Sequence, residues 1–191
     1  MYTWGYIKEC TLSKLNLSEE EANQQNFLSQ FPYFANEAMT QICSAVKPRE
    51  AFMMIVADED NFLFTMPDDF ISFTDDTVLF KEQLNEFYSE ASDDDFEYYG
   101  YNQVVCHKAG TYRIPYNARW FFFTKDTQNS VVIPAPADVC EAIPSYIVSQ
   151  CYKVDDETKA ATYRNEFEMF LARIDNRSFK PSKSIKIGGN W

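Results

Sequence analysis

Residues 131–174 contain two amphipathic segments joined by a very short link, and this feature most constrains how the chain can fold. Apolar side chains recur at spacings of four in the first segment and at spacings of 3, 4, 3 and 4 in the second. The positions are Val139, Ile143, Ile147 and Cys151, then Ala160, Tyr163, Phe167, Phe170 and Ile174. Both patterns follow the period of an α-helix. Because the acidic link at residues 155–157 is so short, the sequence predicts an antiparallel helical hairpin, with an Asp of the link capping the second helix.

The N-terminal end predicts two further helices. Ser18 with Glu21 three residues later is a capping box, which places a helix start there. Its apolar side continues to Phe31, and Pro32 ends that helix or opens the next. A second apolar stripe runs from residue 34 to residue 46, where Lys47 and a proline stop it. With two helices at each end, we expect residues 1–49 and 135–175 to form one antiparallel bundle.

The middle of the chain, residues 50–134, is predicted to be a β-rich insertion. Residues 51–57 and 62–64 are apolar runs on either side of a polar turn, which predicts a β-hairpin. Residues 81–91 return to helical spacing. Further strand candidates occupy residues 70–73, 101–106, 111–114, 120–124 and 130–133. The predicted fold class is therefore α+β: a helical bundle from both chain ends, a β-rich insertion, and an extended C-terminal arm at residues 176–191.

Composition excludes several classes of function. The chain has 17 basic and 29 acidic residues and a net charge of -12, so its surface repels nucleic-acid phosphate and acidic membranes. Five cysteines without a C-x-x-C pair indicate neither a disulfide framework nor a zinc cluster. Without a signal-peptide pattern or a long apolar stretch, we expect a soluble protein made in a reducing compartment.

Candidate catalytic groups are few. The only histidine, His107, follows Cys106, and adjacent residues on a strand point to opposite faces, so the two cannot act together as base and nucleophile. No glycine-rich phosphate loop is present. The turn at residues 58–61 resembles the start of a calcium loop, but Leu63 stands where glycine is needed. Paired acids such as those at residues 68–69 and 75–76 more often solvate a surface than bind metal. The prediction is a protein without enzymatic activity, cofactor or metal.

Charge is distributed very unevenly along the chain. Residues 50–100 hold 15 acidic residues and one basic residue, whereas residues 173–191 hold five basic residues and one acidic residue. One interpretation is an acidic domain with a loose basic tail. Another is that the basic arm of one subunit lies on an acidic face of the next, a contact that closes into a ring. The candidate arm residues are Arg177, Lys180, Lys183, Lys186 and Trp191, and the candidate acidic face, toward a lumen or a partner, comprises Asp58, Glu59, Asp60, Asp93, Asp94 and Asp95.

Three groups of short motifs occur in a definite order. Residues 31–38 read FPYFANEA, and residues 66–70 read MPDDF. Near the C-terminal end, a strand-like segment ending in proline precedes an aliphatic-Tyr-aliphatic pattern and an F-E pair. These last positions are Val132-Ile133-Pro134, Ile143, Tyr146, Ile147, residues 155–160, Tyr163 and Glu166-Phe167-Glu168.

Together the motifs resemble head-to-tail connector (adaptor) proteins of tailed phages, in which MPDDF would correspond to a Leu-Pro-x-Asp-Phe turn. The resemblance covers about a third of the chain. It implies a non-enzymatic virion protein, made in the bacterial cytoplasm, that forms a ring, commonly a dodecamer, between the portal protein and other neck or tail proteins. The genome would pass through the ring without specific binding, and an acidic wall suits that passage because it repels phosphate.

Two other classes of function fit parts of the sequence. An acidic protein of this size could mimic DNA and inhibit a nucleic-acid-binding protein, although such a mimic needs no basic arm. The paired aspartates could instead serve a metal-dependent hydrolase. Binding to a DNA-binding enzyme in the absence of portal would favour the mimic, and heat released on metal titration would favour the hydrolase.

Overall fold

The computed structural model describes residues 1–46, 48–74, 79–82 and 88–177, and the chain is α+β. The helices are α1 (Trp4–Leu15), α2 (Glu19–Gln24), α3 (Phe31–Ala45), α4 (Ala137–Tyr152) and α5 (Glu157–Arg177). The strands are β1 (Arg49–Ala57), β2 (Leu63–Thr65), β3 (Phe70–Phe73), β4 (Phe80–Glu82), β5 (Tyr88–Glu90), β6 (Phe96–Tyr99), β7 (Gln103–Cys106) and β8 (Gly110–Ala118). All strand pairs within the described residues are antiparallel.

Helices from both ends of the chain share one hydrophobic core. The helix α4 lies at its centre and contacts α1, α3 and α5. The stripe predicted for α4 is buried, but so are residues on its other sides, including Cys140, Ala142 and Val148, because helices pack around it. Phe167 of α5 meets Tyr146 of α4 edge-on, with ring centroids 5.0 Å apart. The predicted helix pair is therefore present, with α4 more completely buried than an amphipathic stripe requires.

The N-terminal end holds one helix more than predicted. The side chain of Thr3 accepts a hydrogen bond from the amide of Tyr6 and caps α1, which buries Trp4, Ile7 and Leu15. These buried residues recur on one side of the helix, and the sequence prediction did not identify this helical periodicity. An isolated bridge between Thr3 and Val132 holds the start of α1 against the segment before α4.

The boundaries of the other helices differ in part from the expectation. The Ser18–Glu21 capping box is present, but α2 ends at Gln24 and does not continue to Phe31, because Asn26 adopts a positive φ of 60°. Pro32 lies in the first turn of α3, as one of the two predicted alternatives required. The predicted stop at Lys47 lies outside the described residues.

The predicted start of the last helix is confirmed, and its end lies further along the chain than expected. A side-chain oxygen of Asp156 accepts a hydrogen bond from the amide of Lys159 at 2.9 Å. This bond from the Lys159 backbone holds the pKa of Asp156 below its usual value. The helix α5 runs through Arg177, so the first two residues of the predicted arm are helical, and the remainder, residues 178–191, lies outside the described residues.

The predicted hairpin between residues 51–57 and 62–64 is wrong. The strand β1 pairs with β8 over its whole length, from Arg49 opposite Ala118 to Ala57 opposite Gly110. The strand β2 pairs instead with β7 in a second sheet of three strands. The polar residues between β1 and β2 do form a turn, but this turn connects strands of two different sheets. Pairing between strands so far apart in sequence is decided by tertiary packing, which local patterns do not record.

Three other predicted elements are also replaced. The helix predicted over residues 81–91 gives way to β4 and β5, which pair with each other, while residues 83–87 lie outside the described part of the chain. Residues 120–124 are not a strand but irregular backbone. The side-chain amide of Asn36 binds both the carbonyl and the amide of Phe123, at 2.7 and 2.8 Å. Phe123 is thereby inserted into the helical core beside Trp4. Of residues 130–133, only the bridge at Val132 has strand geometry.

The sheets have a separate hydrophobic core, to which alternate residues of β1 and β8 contribute. Its largest fully buried members are Tyr112, Leu79 and Ile114. Residues 119–123 lead from the end of β8 into the helical core. Among the described residues, none of the helices has the length and apolar character needed to cross a membrane.

The shared helical core predicts a large difference between two neighbouring positions of α5. Phe167→Ala removes a fully buried ring that contacts Tyr146 and should lower the free energy of unfolding by about 3–5 kcal/mol. Met169→Ala, at a position that is 68% exposed, should change it by about 0.5 kcal/mol or less. Urea unfolding followed by circular dichroism measures both. Equal losses in the two variants would contradict the packing described here.

Candidate functional site

The structure places the two predicted acidic clusters on either side of the same end of β7. Residues 58–60 follow β1, and residues 93–95 precede β6. Both turns lie against the connection between β7 and β8: the Cys106 amide donates to the Phe62 carbonyl, and the His107 amide donates to the Asp95 carbonyl, each at 2.8 Å. We call residues 58–60 and 93–95 the acidic tip. Because β1 begins at the helical core and spans nine residues, residues 58–60 lie about 30 Å along the strand from the start of β1.

Members of the acidic tip have different roles. Asp95 is only 7% exposed and forms an ion pair with Lys108, and this hydrogen bond raises the pKa of the lysine ammonium. Asp58 accepts hydrogen bonds from the amides of Asp60 and Asn61 at 3.0 and 2.8 Å and so stabilises its own turn. These two carboxylates hold the tip in shape. Asp58 is itself exposed, and the exposed acids that take no such part in the turns are Glu59, Asp60, Asp93 and Asp94.

The Cys106–His107 pair has the arrangement predicted from the sequence. Cys106 is buried in the sheet core, whereas His107 is exposed, with its Nε2 atom 3.9 Å from Glu97 Oε2. The two side chains therefore do not face a common reactant. Within the described residues, no three His, Cys, Asp or Glu side chains are close enough to share a metal ion.

Of the predicted arm, residues 176 and 177 lie within the described part of the chain. Arg177 is the last residue of α5, and Lys180, Lys183, Lys186 and Trp191 lie outside the described residues. Their proposed contact with an acidic face therefore stays a prediction.

A cleft at the junction of the sheet and the helices was not predicted. It has a volume of about 590 Å³ and is lined by charged and aromatic side chains. The lining residues are Arg49, Asp68, Asp69, Arg119, Trp120, Phe121 and Phe122. Four of these side chains carry charge, and Phe122 is exposed.

Asp69 is the centre of the polar network in this cleft. Its carboxylate pairs with the Arg49 guanidinium and accepts a hydrogen bond from the Tyr116 hydroxyl at 3.0 Å, while its carbonyl accepts one from the Arg119 amide at 2.8 Å. Burial raises the pKa of Tyr116, and the bond to Asp69 adds to that effect. The network joins the start of β1, the end of β8 and the turn before β3. The only sequence signal for it was the MPDDF turn, in which the role of Asp69 was not recognised.

Comparison with known proteins adds no family assignment. The chain matches no protein-family model, and a search of curated proteins finds no match.

Substitutions in the MPDDF turn test whether this network stabilises the fold by joining β1, β8 and the turn before β3. Asp69→Ala leaves the Arg49 guanidinium and the Tyr116 hydroxyl without their shared acceptor and should lower the free energy of unfolding by about 1–3 kcal/mol. Asp68→Ala removes an exposed carboxylate next to it and should cost about 0.5 kcal/mol or less. Chemical denaturation measures both variants, and a similar cost for the two would show that Asp69 has no special part.

Proposed function

We propose that this chain is the subunit of a head-to-tail connector ring in a tailed phage, located in the virion neck between the portal and the tail. In this proposal the helices of both chain ends form an antiparallel bundle that serves as the scaffold of each subunit. Residues 176–191 reach the portal or a neighbouring subunit, and the genome passes through the ring. The role is structural, without a catalytic step.

The arrangement of the acidic tip is the observation that carries the proposal. Two acidic turns, distant in sequence, lie on either side of the end of β7, and β1, which leads into one of them, begins at the helical core. If the helical parts of the subunits form the wall of a ring, such tips can surround the lumen. Five exposed carboxylates per subunit would then repel the phosphates of passing DNA, with a range of about 8 Å at physiological salt.

Residues that carry the resemblance to connectors also meet one another in the fold. Glu37, from the FPYFANEA motif of α3, accepts a hydrogen bond from the Tyr146 hydroxyl at 3.1 Å. Tyr146 in turn packs on Phe167 of the F-E pair. Glu166, the residue before Phe167, pairs with Lys14 at 2.7 Å. The FPYFANEA motif, the aliphatic-Tyr-aliphatic pattern and the F-E pair are therefore in contact in the helical part of the chain, whereas Met66 and Phe70 of the MPDDF motif belong to the sheet core.

Electron microscopy of the purified protein mixed with portal protein tests the proposal directly. We expect ring-shaped particles with a central opening and rotational symmetry, most simply twelve-fold, coaxial with the portal. The matching control is a mixture with a DNA-binding enzyme in place of portal, analysed by size exclusion. A stable complex with the enzyme and no ring with portal would favour a DNA mimic and contradict a connector.

Neutralising the four exposed acids that do not stabilise the turns tests whether the acidic tip faces the lumen. Particles assembled with Glu59→Gln, Asp60→Asn, Asp93→Asn and Asp94→Asn together should still form rings, because Asp58 and Asp95 still stabilise the turns. Since the wall would repel phosphate less, we expect these particles to release DNA about tenfold more slowly.

A matched control removes the same number of exposed acids from other parts of the described surface. The control substitutions are Glu19→Gln, Glu20→Gln, Asp126→Asn and Asp155→Asn. These should leave the rate of DNA release unchanged, as followed by the fluorescence of a DNA-binding dye. Equal rates for both sets would mean that the acidic tip does not face the channel.

A further inference from the structure

The cleft at the junction of the sheet and the helices has the size and the lining of a small-molecule site. Its volume of about 590 Å³ lies within the range of about 300–1,000 Å³ that is usual for ligand pockets. The aromatic side chains of residues 120–122 form its apolar walls, and charged side chains from three segments of the chain border them. Such a lining provides apolar surface for the body of a ligand and a few polar groups that fix its orientation.

The aromatic walls are held in place by the core. The sequence of residues 120–122 predicts a strand, yet their backbone is irregular. Burial raises the pKa of the Cys43 thiol on α3, and a hydrogen bond from the Trp120 backbone opposes that rise. The Phe121 ring meets the buried Phe123 ring edge-on, with centroids 4.9 Å apart. The walls are therefore formed before any ligand binds, and a departure from local strand preference of this kind is expected at functional sites.

Arg119 supplies the cationic group of the cleft that no described carboxylate neutralises. Arg49 pairs with Asp69, whereas no carboxylate of the described residues lies within 4.0 Å of the Arg119 guanidinium. The guanidinium instead lies over the Phe122 ring, 5.4 Å from its centroid, and donates a long hydrogen bond of 3.5 Å to the Asp68 carbonyl. Most of its N–H donors are therefore left for a ligand.

The position of Arg119 suits a carboxylate that is attached to an aromatic ring. Its backbone amide donates a hydrogen bond to the Asp69 carbonyl at 2.8 Å, which fixes the start of its side chain. A planar guanidinium offers paired N–H groups that match the two oxygens of a carboxylate. The Phe122 ring beside it is 57% exposed and provides apolar contact surface. A ligand with both groups would therefore contact the arginine and the aromatic walls together.

Charge near the cleft favours a ligand with one negative charge rather than two. The exposed Asp68 carboxylate borders the same cleft, and the chain has a net charge of -12, so each further negative charge on a ligand is repelled. Asp68 can instead accept a hydrogen bond from an N–H group of the ligand. Lys47, Asp75 and Asp76 adjoin these segments in sequence and lie outside the described residues, so the preferred sign of charge is the first quantity to measure.

We propose that this cleft binds an aromatic monocarboxylate that also carries an N–H group. The carboxylate pairs with Arg119, the ring packs on the aromatic walls, and Asp68 accepts the N–H hydrogen bond. A free N-acylated aromatic amino acid and the C-terminal residue of a partner polypeptide carry this same chemistry. The inference goes beyond the proposed ring and does not rest on it, because one copy of the chain contains every group named.

Titration of the purified, ¹⁵N-labelled full-length chain with three probes tests the preferred charge. N-acetyl-phenylalanine carries a negative charge, its amide is neutral, and phenylalanine amide carries a positive charge. Nuclear magnetic resonance follows the Arg119 Nε–H and Trp120 indole signals. We expect the acid to bind about tenfold or more tightly than its amide, and the cation to bind no more tightly than the amide. Equal affinity for acid and amide, or tighter binding of the cation, would overturn the proposal.

Arginine variants test which group recognises the carboxylate. Arg119→Gln should weaken binding of the acid about tenfold and leave binding of the amide unchanged. The matched control is Arg113→Gln, since the Arg113 guanidinium also lies over a phenylalanine ring, that of Phe52, on the sheet. This control should bind the acid as the wild type does. Equal losses in the two variants would mean that overall charge, and not the cleft, attracts the acid.

Aromatic variants test where the ring of the ligand lies, and their exposed positions do not put folding at risk. Phe122→Ala should weaken binding of the acid and of the amide by about fivefold each. Phe62→Ala, which removes a ring that is 52% exposed beside β2, should change neither. If Phe122→Ala bound both probes as the wild type does, the proposed placement of the ring would be wrong.

A peptide arm of the same titration identifies the source of the ligand. Acetyl-Ala-Ala-Ala-Phe with a free terminal carboxylate should bind more tightly than N-acetyl-phenylalanine if the natural ligand is a polypeptide end, and equally if it is a free acid. Because no step uses portal protein, loss of this binding would leave the connector function standing. Failure to form rings with portal would in turn leave the ligand site standing.

Discussion

Burial of α4 by helices from both ends of the chain is the constraint on which the rest of the structure depends. Eleven residues of this helix are buried, which is possible only because α1, α3 and α5 surround it. Neither end of the chain could bury α4 alone, so the N-terminal and C-terminal parts must fold together. Phe123, held by Asn36, inserts the segment after β8 into the same core and thereby fixes where the sheet leaves the helices.

The sheet extends this scaffold in one direction. At its near end, Asp69 joins β1, β8 and the turn before β3 through Arg49, Tyr116 and the Arg119 amide. At its far end, Asp58 and Asp95 use their carboxylates to hold two turns, which leaves the neighbouring acids exposed. Acidic side chains are thus concentrated at the end of β1 that is away from the helical core.

Helical periodicity predicted α3, α4 and α5 well because their apolar positions are local and recur over many turns. It missed α1, whose buried residues are interrupted by lysine and glutamate and whose cap is a single threonine. The pairing of the strands could not be predicted from such local patterns. Ala57 and Gly110 are partners across more than fifty residues, and the helix-like spacing of residues 81–91 yields to pairing with Arg113 and Tyr112 of β8. The acidic clusters were found from composition, but their position on either side of the end of β7 depends on strand pairing and hydrogen bonds that only the folded chain makes. The Asp69 network combines residues from three segments and has no local signature.

Native-state hydrogen exchange tests the shared core most directly. If the two chain ends form one folding unit, the slowest amides of α1, α3, α4 and α5 should all exchange through the same global unfolding, with equal free energies and the same dependence on denaturant. If α1 and α3 exchanged at a clearly lower free energy than α4 and α5, the two ends would be separate units, and the scaffold on which the proposed ring depends would not exist.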